Sequence, residues 1–540
     1  MSCPVRGSES KASITGHRLF RQIVRLTIFL TCGAAAMVVF EQPALATSYY
    51  VSTSGNDSNP GTIAAPWRTI QHGANSAKAG DTVYVRAGVY NEVVSVPSSG
   101  SASLGYITFS SYPGERAIID GTGLAIPGGQ WGLVTIQNQS YIIINGFEIR
   151  NYKTSKRADV PIGLYVFGAG SNIQILNNHI HNIATNATGC GANAFGLTVY
   201  GTNAPASINN LTISGNELDH MTTGCSETLS VDGNVENFSI TNNAVHDDNN
   251  IAIGAIGYEG VAPKGSMCGL ELCDRARSGE ISGNTIYNIT SNHNPAYGSG
   301  SNNHSYGADG IYVDGGTQIT IERNLVHNTD IGIEMASENP GNQTPGLEKS
   351  DYMIARNNLV YKSNSVGITI GGYDSKRGGT DHCTIVNNTL DDNDTAKTGE
   401  GEFQIQYYAT NNIFENNILY ADSQGLFVYN YTKSEPHPAT LDYNLYYSTV
   451  GASNGNWTWE ATTYTGYSSY LSKTGNDSHS PPFSDPQFIS LGTPPNLDIK
   501  STSPAVNAGV NFGTDIVGTE DFAGNQRVDN GLINIGAYEQ

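Results

Sequence analysis

The chain has 540 residues, only 14% of them charged, with 48 Asp and Glu against 27 Lys and Arg and a formal net charge of −21. Such a surface repels nucleic acid and anionic membranes, so neither is an expected partner. A polyanionic substrate would need Ca²⁺ or a local basic pocket, whereas neutral glycans face no such penalty.

At the start, Arg18, Arg21 and Arg25 precede an apolar run from Leu26 to Phe40, and Ala44, Leu45 and Ala46 supply a small-residue cleavage site. That order predicts a signal peptide over residues 1–46 and export to the extracellular space, the periplasm or the cell surface. The run is short for a bilayer span and no second one follows, so no membrane insertion is expected after cleavage. Losing residues 1–46 removes five basic and two acidic residues and leaves a net charge of −24.

Residues 47–140 predict a cap and the first turns of a repeat. The stretch PWRTIQHGANSAKAG places Trp67, Ile70, Ala74 and Ala77 on one helical face, ahead of the strand signal DTVYVRAG. From residue 141 a phrase recurs, as in IQILNNHIHN, ITIERNLVHN and CTIVNNTLDD: a short alternating run, an Asn, and another short run. The Asn falls at 145, 178, 216, 243, 284, 324, 358, 388, 417 and 444, at spacings of 27 to 41 residues. A period of that size built from strands and turns is the mark of a β-solenoid, and one Asn per turn predicts a stacked amide ladder at a tight bend. Three residues on comes a second column, from His181 and Asp219 through His246, Tyr287, His327, Tyr361, Asp391 and Tyr420 to Tyr447, which reads as a surface ladder without a catalytic role. The repeat is expected over residues 141–447, and residues 448–540 as last coils and an irregular C-terminal cap.

Five cysteines follow the leader. TGCGANAFG and TTGCSETLS place Cys190 and Cys225 at similar points of adjacent repeats, so a disulfide is expected between them; Cys268 and Cys273 form a second candidate pair, with a metal site as the alternative. Cys383, in an alternating strand, reads as a buried thiol.

The segment YYVSTSGNDSNPGT, the stretch APWRTIQHGANSAKAGDTVYVRAGVYNE, the central repeats and the closing SPAVNAG and GLINIGAYE resemble secreted bacterial right-handed parallel β-helix proteins of the pectate-lyase-like superfamily. The resemblance implies an all-β, single-stranded right-handed parallel β-helix of about ten or more coils, with an N-terminal capping helix. It leaves the reaction open, because that superfamily includes polysaccharide lyases, glycoside hydrolases and non-catalytic binders.

Each repeat also holds a second strand. Aligning GLYVFG, GLTVYG, TLSVDG, IAIGAIG, GIYVDG, GIEMAS, GITIGG and EFQIQY makes alternate residues point outward. That outward set is Tyr165 and Phe167, Thr198 and Tyr200, Ser230 and Asp232, Ala252 and Gly254, Tyr312 and Asp314, Glu334 and Ala336, Thr369 and Gly371, and Gln404 and Gln406. Rings near carboxylates suit sugar recognition, so Tyr165, Tyr200, Asp232, Tyr312, Gln404 and Tyr407 are the expected substrate contacts. Asp314 and Glu334, diagonal neighbours on adjacent coils, are the expected acid and nucleophile or base of glycosidic cleavage, with Glu338 as an alternative acid. Their amides are expected to lose turnover without unfolding.

The first alternative is a lyase. Proton abstraction beside a uronate carboxylate needs Ca²⁺ and a basic residue; Asp309, Asp314, Asp330 and Asp374 are then the candidate ligands, and Lys376 and Arg377 the candidate bases. In the resembled family 9 lyases a lysine stands outward in the strand that GITIGG matches, and Thr369 replaces it here. The second alternative is a non-catalytic glycan-binding or matrix protein, whose acidic residues would not converge. The expected partner in each case is an extracellular polysaccharide met by a monomer, and Ca²⁺ enters only with the lyase alternative.

Overall fold

The computed structural model describes residues 46–189, 191–297, 306–339, 347–433 and 435–540. The leader reading and Cys190 therefore lie outside the described residues. No helix among them is long and apolar enough to cross a membrane.

Three short strands make one coil. In the middle of the chain Asp309–Asp314 leads to Thr317–Glu322, then Leu325–Thr329, and the next coil opens with Ile331–Ala336. Equivalent strands pair in parallel and in register, Ile311 with Ile333 and Ile321 with Ala355, so the coils stack into three long sheets. The chain is a right-handed parallel β-helix. Its interior is a continuous apolar stack: Ile253, Ile311, Ile333, Ile368 and Phe403 are fully buried in successive coils. A helix, Ile70–Ser76, covers the first coil with Ile70 and Ala74 buried, and the Thr69 side chain caps it by accepting from His72 N. Trp67 stands before the helix, stacked on Tyr49 at 4.6 Å, and Ala77 ends it.

The amide ladder runs from Asn178 through Asn216, Asn243, Asn284, Asn324, Asn358, Asn388 and Asn417 to Asn444. At Asn324, Oδ1 accepts from the Nδ2 and N of Asn284, each at 3.0 Å, while Nδ2 donates to Asn358 Oδ1 at 3.0 Å and to Ile281 O at 2.9 Å. A bend without these side chains would bury unpaired backbone groups. Asn145 is the exception among the expected members. It pairs with Leu176, two residues short of the ladder position, and Phe147 N donates to Asn178 Oδ1 at the ladder register. The apolar residues around Asn145 permitted either alignment, and the partner strand decided it.

The second column stacks, but not wholly at the surface as expected: Asp219, Tyr361, Asp391 and Tyr420 are buried, Tyr361 and Tyr420 against the C-terminal segment. His246, Tyr287, His327 and Tyr361 lie ring on ring at 4.6, 5.3 and 4.8 Å, all within 6° of parallel.

The last coil is closed by Asn456–Trp459, Thr462–Thr465 and the helix Tyr467–Thr474, with Trp457 stacked between Phe427 and Tyr470. Asp477 terminates the ladder, accepting from Asn444 Nδ2 at 3.1 Å and from the Tyr446 and Tyr470 hydroxyls. The final segment then runs back along the flank. Phe488, Leu497, Ile499 and Ile535 pack on Tyr361, Ile418, Tyr420 and Leu445, and Asn357, Asn387 and Asn416 donate to its backbone.

Candidate functional site

One sheet carries the site. In it Thr198, Ser230, Gly254, Tyr312, Glu334, Thr369 and Gln404 form one column, and Tyr200, Asp232 and Ile256 start the next. The pairing corrects the expected outward pair in IAIGAIG: Gly254 and Ile256 face outward, while Ala252 and Ile253 both belong to the core. With apolar residues at nearly every position, that segment offers no alternation to read. The same break in alternation puts Glu227 and Asp309, at the starts of their strands, on the outer face with Ile251 and Ile331.

Outward does not mean solvated here. Loops between the strands rise beside the sheet and wall an open cavity of about 630 Å³. Eight carboxyl residues line it: Glu227, Asp232, Glu259, Asp309, Asp314, Glu334, Glu338 and Glu400. No lysine, arginine or histidine stands among its described lining residues. Tyr200, Tyr312, Tyr373, Gln404 and Gln406 are among the other polar residues of its wall.

Tyr312 pairs with Glu334 and Asp314 with Ala336, so the two acids are diagonal on neighbouring strands. Glu334 is 9% exposed; burial first, then the charge of Glu338, pushes it up to about 8. Asp309 is a hydrogen-bond partner of Glu334, and burial followed by the Glu334 charge holds its proton well above the usual carboxylate range. Asp314 is raised by burial and the charge of Glu338, and its Oδ1 accepts from Glu338 N at 2.8 Å. Glu338 is raised as well, by burial first, but against two opposing groups. It stands exposed at the rim, the Tyr312 hydroxyl bonds to it, and the Arg377 guanidinium opposes the upward push of burial.

Arg377 itself reaches Glu338 O at 2.9 Å and Tyr373 Oη at 2.7 Å, with its guanidinium 5.0 Å from the Tyr373 ring centre. Lys376 is exposed on that loop and does not line the cavity, and its backbone N bonds to Asp374 Oδ1. Two expected sugar contacts lie elsewhere. Tyr165 is 6% exposed, stacked on Phe167 at 4.5 Å with its hydroxyl on Gln130 Oε1, and Tyr407 packs against Tyr431 beyond the sheet's lining. Both were placed by strand alternation or proximity alone, and ring packing took them out of the cavity.

The expected metal ligands are not gathered. Asp330 is fully buried and accepts from Thr290 Oγ1, Ser291 N and Oγ, Ala308 N and Asn364 Nδ2, which leaves its oxygens committed to the corner of the coil. Asp374 sits on the loop with Lys376. Among the described residues the one trio with ligand atoms within 4.8 Å of one another is Glu148, His179 and His181, on another sheet, and there Arg116 and Arg150 already pair with Glu148.

Cys268 and Cys273 form a disulfide, and Cys383 is buried as expected. The expected partner of Cys225 falls outside the described residues; Cys225 itself lines the cavity. Sequence alignment missed Glu227, Glu259 and Glu400. The last two are loop residues without a repeat position, and Glu227 would have needed the strand's break in alternation to be foreseen.

Comparison with known proteins adds relatives. A family model described as "Pel9A-like, right handed beta helix region" matches residues 49–219. YwoF of Bacillus subtilis (strain 168) is 38% identical over 440 residues, which cover 81% of this chain and 88% of that one. Pectate lyase PEL9 of Emericella nidulans is 33% identical over 152 residues, 26% of this chain and 33% of that protein. The crystal structure of pectate lyase Pel9A superposes with a TM-score of 0.49 at 14% identity, covering 92% of this chain and 97% of that one.

Proposed function

We propose, for a chain that belongs to one family with the Bacillus subtilis protein YwoF and carries a Pel9A-like right-handed β-helix region, that the acidic cavity cleaves glycosidic bonds of an extracellular polysaccharide. The observation that carries this reading is the convergence of eight carboxyl residues on one cavity, where burial raises both Glu334 and Glu338 while Arg377 and the Tyr312 hydroxyl oppose it at Glu338. Pairs of titratable groups whose surroundings push them apart divide into acid and base.

Glu334, raised to about 8 by burial and the Glu338 charge against the lowering bond with Asp309, keeps its proton at neutral pH and is placed to give it to the leaving oxygen. Glu338 is the carboxylate of the pair. Its rim exposure, the Tyr312 hydroxyl and the nearby Arg377 favour the ionised form over that of its buried neighbours. In the hydrolysis, a water gives a proton to Glu338 and its oxygen to the sugar carbon, while the Glu334 proton leaves on the departing hydroxyl. Asp314 acts as a positioning residue, because it holds the backbone N–H of Glu338.

The Pel9A-like match favours a second reading, β-elimination at a uronate. The residues present do not fit it. Ca²⁺ takes six to eight oxygen donors at short range, and no three carboxyl residues of the cavity bring ligand atoms within 4.8 Å of one another among the described residues. At the position of the expected lysine, Thr369 is fully buried and donates to Gln404 Oε1 at 2.9 Å. A uronate would also meet eight carboxyl residues and no lining cation. The convergence counts equally against a non-catalytic binder.

The test is a panel of neutral, amino-sugar and uronate polysaccharides incubated with and without EDTA, read by reducing ends and by absorbance of unsaturated products. New reducing ends without unsaturated product, unchanged by EDTA, are expected. An EDTA-sensitive unsaturated product would overturn the hydrolytic reading.

A further inference from the structure

The cavity holds two acidic groups, and the hydrolytic reading uses only the one around Glu334. The second stands where the strand Glu227–Gly233 meets Tyr200. Asp232 pairs with Tyr200 on the neighbouring strand, and both side chains line the cavity. Glu227 enters from the start of the strand. Gly254 makes room for it, since a Cβ there would come within 2.9 Å of Glu227 Cγ. Glu259 reaches in from the following loop.

No lysine, arginine or histidine among the described lining residues pairs with this group. Asp232 is 3% exposed, yet its Oδ1 has no hydrogen-bond partner among the described residues, and beyond burial the groups that act on its carboxyl are the acids Glu259, Glu227, Asp274 and Asp314. An unpaired buried acceptor among like charges is costly and persists where a ligand completes it. The missing partner is therefore a hydrogen-bond donor with positive charge.

We propose that Glu227, Asp232, Glu259 and the face of Tyr200 form a subsite for a protonated amine, so that the glycan this cavity takes carries free amino sugars. The substrate class rests on the hydrolytic reading above; the amine subsite itself does not. An ammonium group supplies three donors, needs only two carboxylates, and gains from an aromatic face. A neutral hydroxyl would fill the orphan acceptor and leave the neighbouring carboxyl groups without a counter-charge. An N-acetyl group would set a carbonyl oxygen against the carboxylates. A divalent cation demands more oxygen donors at closer range than this end of the cavity gathers.

The experiment uses the full chain carrying Glu334→Gln, so that binding is read without turnover. Isothermal titration compares a glucosamine tetramer, its fully N-acetylated form and cellotetraose, with CaCl₂ as a separate arm. The glucosamine tetramer is expected to bind about tenfold or more tightly than the other two, and Asp232→Asn or Glu227→Gln to remove that advantage. Circular dichroism of each variant checks that the coil is intact. Equal affinity for the three tetramers would overturn the subsite, as would an advantage that survives both substitutions. Ca²⁺ displacing the glucosamine tetramer from the Glu334→Gln chain but failing to bind once Asp232→Asn is added would make this a metal site and also overturn it. The two proposals fail separately: cleavage of neutral glycans without amine preference leaves the hydrolase and removes the subsite, and amine binding without cleavage by the unsubstituted chain does the reverse.

Discussion

At Glu334, burial and the neighbouring Glu338 charge push the carboxyl up, and they outweigh the hydrogen bond with Asp309, which lowers it. Glu334→Gln keeps the shape and removes the proton donor, so kcat is expected to fall about 100-fold or more while the thermal midpoint holds or rises. Asp314→Asn keeps an acceptor for Glu338 N, and a smaller loss is expected, about tenfold, from misplacement of the base. Steady-state kinetics of both variants on the active polysaccharide check the order. Stability carries a pH signature as well. Glu334 and Glu227 are raised from 4.5 to about 8, so between those values the folded chain binds protons that the unfolded chain has released. Stability therefore falls as pH rises through that window, by up to about 1.4 kcal/mol per unit for each group, and the loss is complete above about pH 8. Urea unfolding at about pH 5 and pH 8 measures it, and Glu227→Gln with Glu334→Gln should flatten the slope.

The coil is the element, and its bend depends on one amide per turn. Removing the Asn324 side chain strips a buried acceptor from Asn284 and a donor from Asn358 and Ile281. Asn324→Ala is expected to cost about 2–4 kcal/mol in urea unfolding, since unmet buried groups cost more than the bonds themselves contribute. Asn145 is the internal control. It lies off the ladder and is half-buried, donating to Ser110 Oγ at 3.0 Å, so Asn145→Ala should cost about 1 kcal/mol or less. A comparable cost at both positions would mean that the ladder is not what holds the bend. The stacked rings from His246 to Tyr361 add contact on the outer face of a different sheet from the cavity, consistent with a structural column.

Across the whole molecule the C-terminal segment is a brace. It covers Leu359, Ile418 and Leu445 with Phe488, Leu497 and Ile535, and it ties down Asn357, Asn387 and Asn416 on three successive coils. Ending the chain after Ser484 exposes those side chains, each contributing about 1.5–3 kcal/mol by burial, so the melting temperature should drop steeply. The cavity lies on another sheet, so activity at low temperature should survive the truncation. Much of this architecture was legible in the chain itself. The Asn period, the ring column and the apolar alternation each repeat once per coil, and stacking turns any repeated position into a spatial column. Diagonal placement of Asp314 and Glu334 followed from the same register. Asn145 and IAIGAIG were misread because uniformly apolar surroundings leave two alignments equal until a partner strand chooses one. The cavity itself was decided by tertiary structure. Glu259 and Glu400 come from loops with no period, and Glu227 depends on a local break in alternation. Whether an outward residue meets bulk solvent or an acidic cavity is set by which loops wall the sheet, a long-range packing outcome that no repeat encodes.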